Sequence, residues 1–514
     1  MMHYDVVVAG SGFGGSILAR ALNSKGLRVL LLERDRHPRF ALGESSTPLA
    51  ALSLERLATN YGLPDLAQLA TYGRWQQSHP SLRCGLKRGF TFIDHRREAQ
   101  AQGRSSLLVA ASPNDRVADT HWLRADVDHH LVQEAANEGV DYREKSPLLG
   151  LLLRQSSLEI DLGRGGKVQT TTLVDATGPA AVAHRYLGSD RPQNASQPLR
   201  TRSSLLYSHF DNVDSSPLTV DDCEPYPPRA AAVHHLIEEG WMYELRFDNG
   251  TVSAGMLLRN PPPEPPAQAW RRILCSYPDL QERFREAEPR FPICAIEQLQ
   301  RRLPAAHGPR WLALPHTYAF VDPLFSTGIA WTLRAVERLA ELLSYAASDR
   351  ATSSARNRYA ELLAQEANQI DQLVSGAYQA INDFESFAIY AQTYFITVSW
   401  MEAQERLLQP TNPAWQGVLG IDDPQLATLF AEASQRLPDH PDPASINSYR
   451  DWLHRRTASR DLIGLDLLGS SLAIPADLDV LVARADKLGL DQETVRRMLP
   501  RLRGARHRVT RASP

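Results

Sequence analysis

The sequence predicts an α/β chain: a parallel sheet with packed helices, interrupted by an inserted, mostly antiparallel sheet and followed by a C-terminal helical region. Three observations lead there. Asp5–Gly15 and Leu27–Asp35 spell a complete β-α-β unit, Arg200–Leu258 alternates apolar runs with a turn signal, and the chain beyond Ala351 is helically periodic.

The first unit is the most specific. Val6–Ala9 is a short apolar run of the kind buried in a parallel sheet, and it leads directly into Gly10-x-Gly12-x-x-Gly15. Ser16–Asn23 reads as a helix with Ile17, Leu18 and Leu22 on one face, and Val29–Leu32 as a second buried strand ending in Glu33. In such a Rossmann-like unit Gly10 permits the tight turn, Gly12 lets backbone approach a pyrophosphate, and Gly15 allows close helix–strand packing. The N–H groups of Phe13, Gly14 and Gly15 open the helix toward phosphate, and Glu33, followed by Arg34, is placed to accept from a ribose.

Between the strands of the insert, SSLLYSHF and WMYELRF lead to Asp248-Asn249-Gly250 and then VSAGMLL. Asn-Gly between apolar runs is a hairpin signal, and Asn260–Pro266 (NPPPEPP) must leave the sheet. The 514-residue chain has room for two or three such units.

Composition excludes several classes. With 56 basic and 59 acidic residues, nothing favours a nucleic acid or an anionic membrane. Cys84, Cys223, Cys275 and Cys294 form no CxxC, which fits a reducing cytoplasm and no metal site. The His129–His130 and His234–His235 pairs are sequence neighbours whose side chains diverge, and read as non-ligands. The N-terminus enters the first strand at once, leaving no room for a signal peptide. No apolar run approaches the ~18 residues of a membrane span. A cytoplasmic protein is expected.

Two downstream segments identify the nucleotide. Trp122–Asp128 (WLRADVD) opens a helix, and Leu173–Gly178 (LVDATG) is a strand with a small-residue turn. Their order resembles the segments that flavoprotein monooxygenases wrap around FAD, in a glutathione-reductase-like domain. The resemblance implies that Arg124 lies near the FAD and that Ala176–Gly178 pass close to its adenine side. It implies an interleaved chain: FAD-binding parts at 1–75, 105–198 and 305–350, a substrate-side segment at 76–104, an inserted substrate sheet at 199–304, and a helical region at 351–514.

Within Tyr318–Leu343, Phe320, Pro323, Ser326 and Gly328 fit the FxxPxxSxG pattern of the FAD-dependent halogenases. The helix that follows has Ile329, Leu333, Val336, Leu339 and Leu343 on its buried side, and its N-terminus offers free N–H donors. Gly43-Glu44-Ser45-Ser46-Thr47-Pro48, with Lys87 some forty residues on, resembles the halogenases of phenolic or carrier-bound aromatics. The chain has only five lysines, so a lysine at this distance is informative. The resemblance implies backbone amides of Thr327 and Gly328 for chloride or bromide, further FAD contacts from Ser45, Asp322, Gly328 and Ile329, and Lys87 at the end of a tunnel where it holds or traps hypohalous acid. A separate flavin reductase would supply reduced FAD, and the substrate would be a small or carrier-protein-bound aromatic.

Departures from the pattern are specific. The diagnostic WxWxIP motif survives only as Trp241-Met-Tyr243-Glu-Leu245-Arg246, and Phe325 stands where tryptophan halogenases place an acid. Pro315-His316-Thr317 replaces the usual Gly-Asp pair, leaving His316 or backbone for the ribityl chain. Two alternatives share the scaffold: a flavin hydroxylase, and a reductase or desaturase of hydrophobic chains similar to geranylgeranyl reductases. Phe384, Phe387, Tyr390, Tyr394, Phe395 and Trp400 fall at helical spacing, as core or as a substrate lid. Arg501–Pro514 is basic and expected to fray.

Overall fold

The computed structural model describes residues 2–96, 105–188, 198–216, 225–344, 353–465 and 472–502. Most of the basic tail, 503–514, lies outside these. From the N-terminus the chain forms β1 (Met2–Ala9), α1 (Phe13–Asn23), β2 (Val29–Leu32), α2 (Pro48–Tyr61), β3 (Cys84–Lys87), β4 (Gly89–Asp94), β5 (Ser106–Ala110), β6 (Asp119–Trp122), α3 (Arg124–Asn137) and β7 (Asp141–Arg143). It continues through β8 (Gly150–Leu153), β9 (Leu158–Asp161), β10 (Lys167–Asp175), β11 (Ser204–Asp211), β12 (Ala232–Ile237), β13 (Gly240–Arg246) and β14 (Val252–Leu258) to three long helices. These are α4 (Thr327–Ser344), α5 (Ser353–Ala380) and α6 (Phe384–Ala403).

The first sheet is parallel through its centre, in the order Trp311–Ala313, β10, β1, β2, β7. Val6–Ala9, Val29–Leu32 and Leu173–Val174 are buried because helices cover the sheet, which is why they read as continuous apolar runs rather than alternating ones. Helix α4 packs against both α1 and α2. The close approach is made at Gly14, where a Cβ would lie 2.7 Å from Thr332 Cγ2.

The second sheet runs β11, β14, β13, β12, β4, β5. The insert is antiparallel, with Ser204 opposite Leu258 and Arg246 opposite Val252. The hairpin falls at the Asn-Gly turn as expected, with Gly250 at φ +83°. Strand β12 joins β4 in parallel, so residues 89–94 are threaded into the inserted sheet. Strand β5 pairs with β4, so Ser106–Ala110 belong to this sheet as well.

Helix α6 crosses this sheet. Phe387 packs on Phe92 (ring centroids 5.2 Å apart), Phe395 on Phe90 (5.4 Å) and Tyr394 on Phe325 (4.8 Å). All six aromatics of Phe384–Trp400 are buried, as core. Trp122, expected to begin a helix, instead ends β6 opposite Cys84, and the helix starts at Arg124. The β-branched and aromatic run Thr120-His121-Trp122 pairs well on a pleated surface, which overrides the helical pattern that follows.

Buried ion pairs fasten α4 to the C-terminal region. Arg338 donates to both Glu366 oxygens on α5, and Glu366 also accepts from Trp331 Nε1 and the Val418 amide. Arg334 and Arg56 converge on Glu405.

Candidate functional site: a nucleotide cradle and two cavities beside Lys87

The turn after β1 places its glycines where side chains have no room. Gly10 has φ +103°, and a Cβ there would fall 2.4 Å from Ala176 O; at Gly15 it would fall 2.0 Å from Gly10 O. Gly12 differs: beyond its missing Cβ lie Arg124 Nη2 at 3.4 Å and Arg39 Nη2 at 4.0 Å. Two guanidiniums thus face the N-terminus of α1 across a glycine. Arg39 Nε is buried without a hydrogen-bond partner, so the cradle holds an unused donor. An anion fits this set of donors, and a diphosphate suits its length.

Glu33 sits at the end of β2, 4% exposed. It accepts from Ser11 Oγ at 2.8 Å, Arg39 Nη2 at 3.0 Å and the Asp35 amide at 3.0 Å. Burial alone would raise its pKa; Arg39 and these hydrogen bonds hold it below the usual carboxylate range. Arg124 forks onto Asp128, whose Oδ1 also accepts the Phe13 amide, and its Nη1 donates to Leu42 O and Gly43 O. Arg34 is exposed and pairs with Asp35. The inward basic residue is Arg39, which no motif signalled.

A cavity opens beside the cradle, lined by Gly43–Ser45 on one wall and by Asp322, Pro323 and Ser326–Ile329 on the other. Trp241, Tyr243 and His234 close it from the second sheet. Ser326, at φ +52°, turns the chain into α4 so that the free amides of its first turn face the space, and its hydroxyl meets Ser45 Oγ at 3.1 Å. His316 is partly buried beside Gly328, its pKa pushed down to about 3 by desolvation and by Arg301 and Arg124. A hydrogen-bond chain links the surviving tryptophan of the eroded motif to the turn before α4: Trp241 Nε1 donates to Tyr378 Oη (3.0 Å), which donates to Asp322 Oδ2 (3.0 Å). Burial pushes the Asp322 carboxyl up to about 7.

Lys87 is fully buried, its Nζ donating to Ser46 O at 2.6 Å and lying 4.1 Å from the centroid of the Phe90 ring. Burial in this apolar setting pushes the ammonium pKa down. The segment that holds it is shared. Residues 43–45 wall the cavity beside the cradle, while Pro48 and Ala51 wall a second, more polar and smaller one. Lys87 bonds to the carbonyl of Ser46, which lies between these stretches in sequence, and lines neither cavity itself. Asp119, which pairs with Lys87 in the β3–β6 register, lines the second cavity. Asp119 was invisible to spacing arguments, because only strand pairing brings it opposite Lys87.

Comparison with known proteins agrees with this arrangement. The family model for tryptophan halogenase matches residues 121–388, just over half of the chain. Monodechloroaminopyrrolnitrin halogenase of Pseudomonas fluorescens is 27% identical over 456 residues, covering 84% of this chain and 79% of that protein. Tetracycline 7-halogenase of Kitasatospora aureofaciens is 27% identical over 420 residues, covering 78% and 73%. Among solved structures, halogenase PltM in complex with phloroglucinol and FAD superposes with a TM-score of 0.84, at 25% identity, over 92% of this chain and 99% of that one. Among the described residues no helix is long and apolar enough to cross a membrane. The glycine cradle, the turn into α4 and the buried lysine therefore belong to a member of the tryptophan halogenase family, an FAD-dependent enzyme of the flavin-dependent halogenase type.

Proposed function

We propose that this chain halogenates an electron-rich aromatic, free or carried on a protein, using reduced FAD from a separate reductase, O2, and chloride or bromide. The observation that carries the proposal is Lys87, a fully buried ammonium held by Ser46 O in the loop whose flanks, Gly43–Ser45 and Pro48 with Ala51, border the two cavities.

The residues of the cradle divide the work of holding FAD. Gly10, Gly12, Phe13, Gly14 and Gly15 present backbone to the diphosphate, Arg39 and Arg124 supply positive charge, and Glu33 accepts from the ribose. Ala176 and Gly178 border the adenine side. Ser45, Asp322, Gly328 and Ile329 border the isoalloxazine in the large cavity, where the Thr327 and Gly328 amides provide an anion site for halide. When bound and reduced, FAD supplies two electrons that, with O2, convert halide to hypohalous acid. The work left to the protein is containment and direction. Lys87, one N–H held by Ser46 O, presents its remaining donors to the oxidant and delivers it to the second cavity.

The test combines the holoenzyme with a flavin reductase, NADH, and chloride or bromide, and follows aromatic substrates by the halogen isotope pattern of the products. Lys87→Ala is expected to retain FAD but to lose product by more than ~10²-fold, the scale of removing a positioned catalytic group. Products that carry oxygen and never halogen would return the chain to the hydroxylase reading.

A further inference from the structure

The second cavity contains one buried carboxylate that faces the charge of Lys87 but is not hydrogen-bonded to it. Its wall includes Glu55, Asp119, Glu402 and Arg406. Three of these satisfy one another: Arg406 donates to Glu402 and Glu55, and Glu55 also accepts from Arg74. Asp119 is different. It is 4% exposed, and its Oδ2 has no hydrogen-bond partner among the described residues. Lys87, opposite it in the strand register, directs its hydrogen bond to Ser46 instead. A buried, unpaired carboxylate oxygen in a native structure calls for a reason, since buried acceptors are almost always matched.

We propose that Asp119 is a substrate-binding residue: its carboxyl accepts the hydrogen bond of an O–H or N–H group on the aromatic ring seated in the second cavity, with that ring's carbon facing Lys87. This rests on the halogenase reading and names the substrate class within it, a phenol or an aromatic amine. The chemistry agrees at both ends of the ring. Electrophilic substitution needs electron density, and a hydrogen bond from the ring's O–H or N–H to a carboxylate pushes density toward the ortho and para carbons. One of those carbons takes the halogen from hypohalous acid as the C–halogen bond forms and the O–halogen bond breaks. The C–H proton then leaves, and the displaced hydroxide takes it up as water, so that arene and hypohalous acid give haloarene and water. With phenylalanine at position 325, Asp119 is the carboxyl paired in register with the lysine. Burial pushes the Asp119 carboxyl up, and the neighbouring charge of Lys87 pulls it back down.

The experiment compares resorcinol and 1,3-dimethoxybenzene, rings of similar electron richness with and without the donor, in wild type and Asp119→Asn. Binding to the oxidised holoenzyme is read by calorimetry, and kcat/KM by halogenated product. Wild type is expected to favour resorcinol in both measurements, and Asp119→Asn to shrink that preference at least about tenfold, as when a site built for a substrate hydroxyl loses its partner. Because the readout is a ratio of two substrates, general damage to the enzyme cancels. Asp119→Ser provides the same comparison if the Asn variant does not fold. Aniline against N,N-dimethylaniline distinguishes an amine donor from a hydroxyl. Unchanged preference in the variants, or a wild type that binds donor and capped rings alike, overturns the proposal. Wild type that forms no hypohalous acid, measured by chlorination of monochlorodimedone, sinks the halogenase reading alone; the binding ratio still decides Asp119.

Discussion

His209 Nε2 lies 2.8 Å from Glu44 Oε1, and Ser253 Oγ donates to the other oxygen of the same carboxylate at 2.6 Å. Glu44 belongs to the loop that follows the first sheet, whereas His209 and Ser253 face each other across β11 and β14 of the second. One buried side chain thus fixes the loop bearing Ser45 and Ser46 to the inserted sheet. Ser46 O in turn holds Lys87.

This relationship predicts that His209→Leu disturbs direction more than cofactor binding. The change leaves a buried carboxylate oxygen without its partner, at a cost of about 1–3 kcal/mol. Product formed per NADH consumed is expected to fall several-fold, while FAD affinity, measured by fluorescence titration, stays within about threefold of wild type. Loss of FAD in step with product would show that the loop serves the cofactor alone.

Gly12→Val is expected to abolish FAD retention. The new methyl groups enter the space between Gly12 and Arg124, where a Cβ already falls 3.4 Å from Nη2. Protein that purifies yellow and keeps its visible flavin absorbance through gel filtration would contradict the placement of the diphosphate.

Glu366→Gln is expected to destabilise the fold without touching the cavities' chemistry. Arg338 is fully buried and its guanidinium forks onto Glu366. Breaking one side of a buried pair leaves an uncompensated charge and costs about 3–5 kcal/mol. The loss should appear in the midpoint of urea unfolding, and a change under about 1 kcal/mol would mean that the pair is hydrated.

His316 carries a pH signature. Its native pKa lies at about 3, below that of an unfolded histidine, so the unfolded chain binds the extra proton as pH falls below about 6.5. The group therefore stabilises the fold above that pH and loses its contribution on acidification. In His316→Asn the loss is absent. The difference in unfolding free energy between the two proteins should change by about 1.4 kcal/mol per pH unit between pH 6 and 4. Parallel curves across that window would show that His316 is protonated in the folded state.

The first sheet was legible because its signals are local. Val29–Leu32 is a strand over its predicted bounds, and the helix begins three residues before Ser16 only because Gly12 serves as its N-cap. The FxxPxxSxG turn and α4 were legible for the same reason: Ser326 at positive φ and the small residues after it carry the conformation themselves. Arg39, Asp119, His209 and Tyr378 were not. Each acts through pairing between segments about 30 to 165 residues apart or through a loop without a motif, and a single sequence does not encode such contacts as spacing. Lys87 was found by its distance from Gly43-Glu44-Ser45, yet its burial and its bond to Ser46 O came only from the fold.

Gly43–Ser45 border one cavity and Pro48 and Ala51 the other, and the two cavities share no wall residue among the described ones, so under the proposed assignment the cofactor's ring and the acceptor ring have separate walls. Substitutions at Thr71, Ala111, Ser112 or Val117 reshape the second cavity, and none of these residues borders the first. An enzyme divided in this way can exchange one aromatic acceptor for another by changes at a few positions, while the groups that generate the oxidant keep their shape. Under that assignment, the loop whose Ser46 carbonyl holds Lys87 is the element both halves would have to preserve.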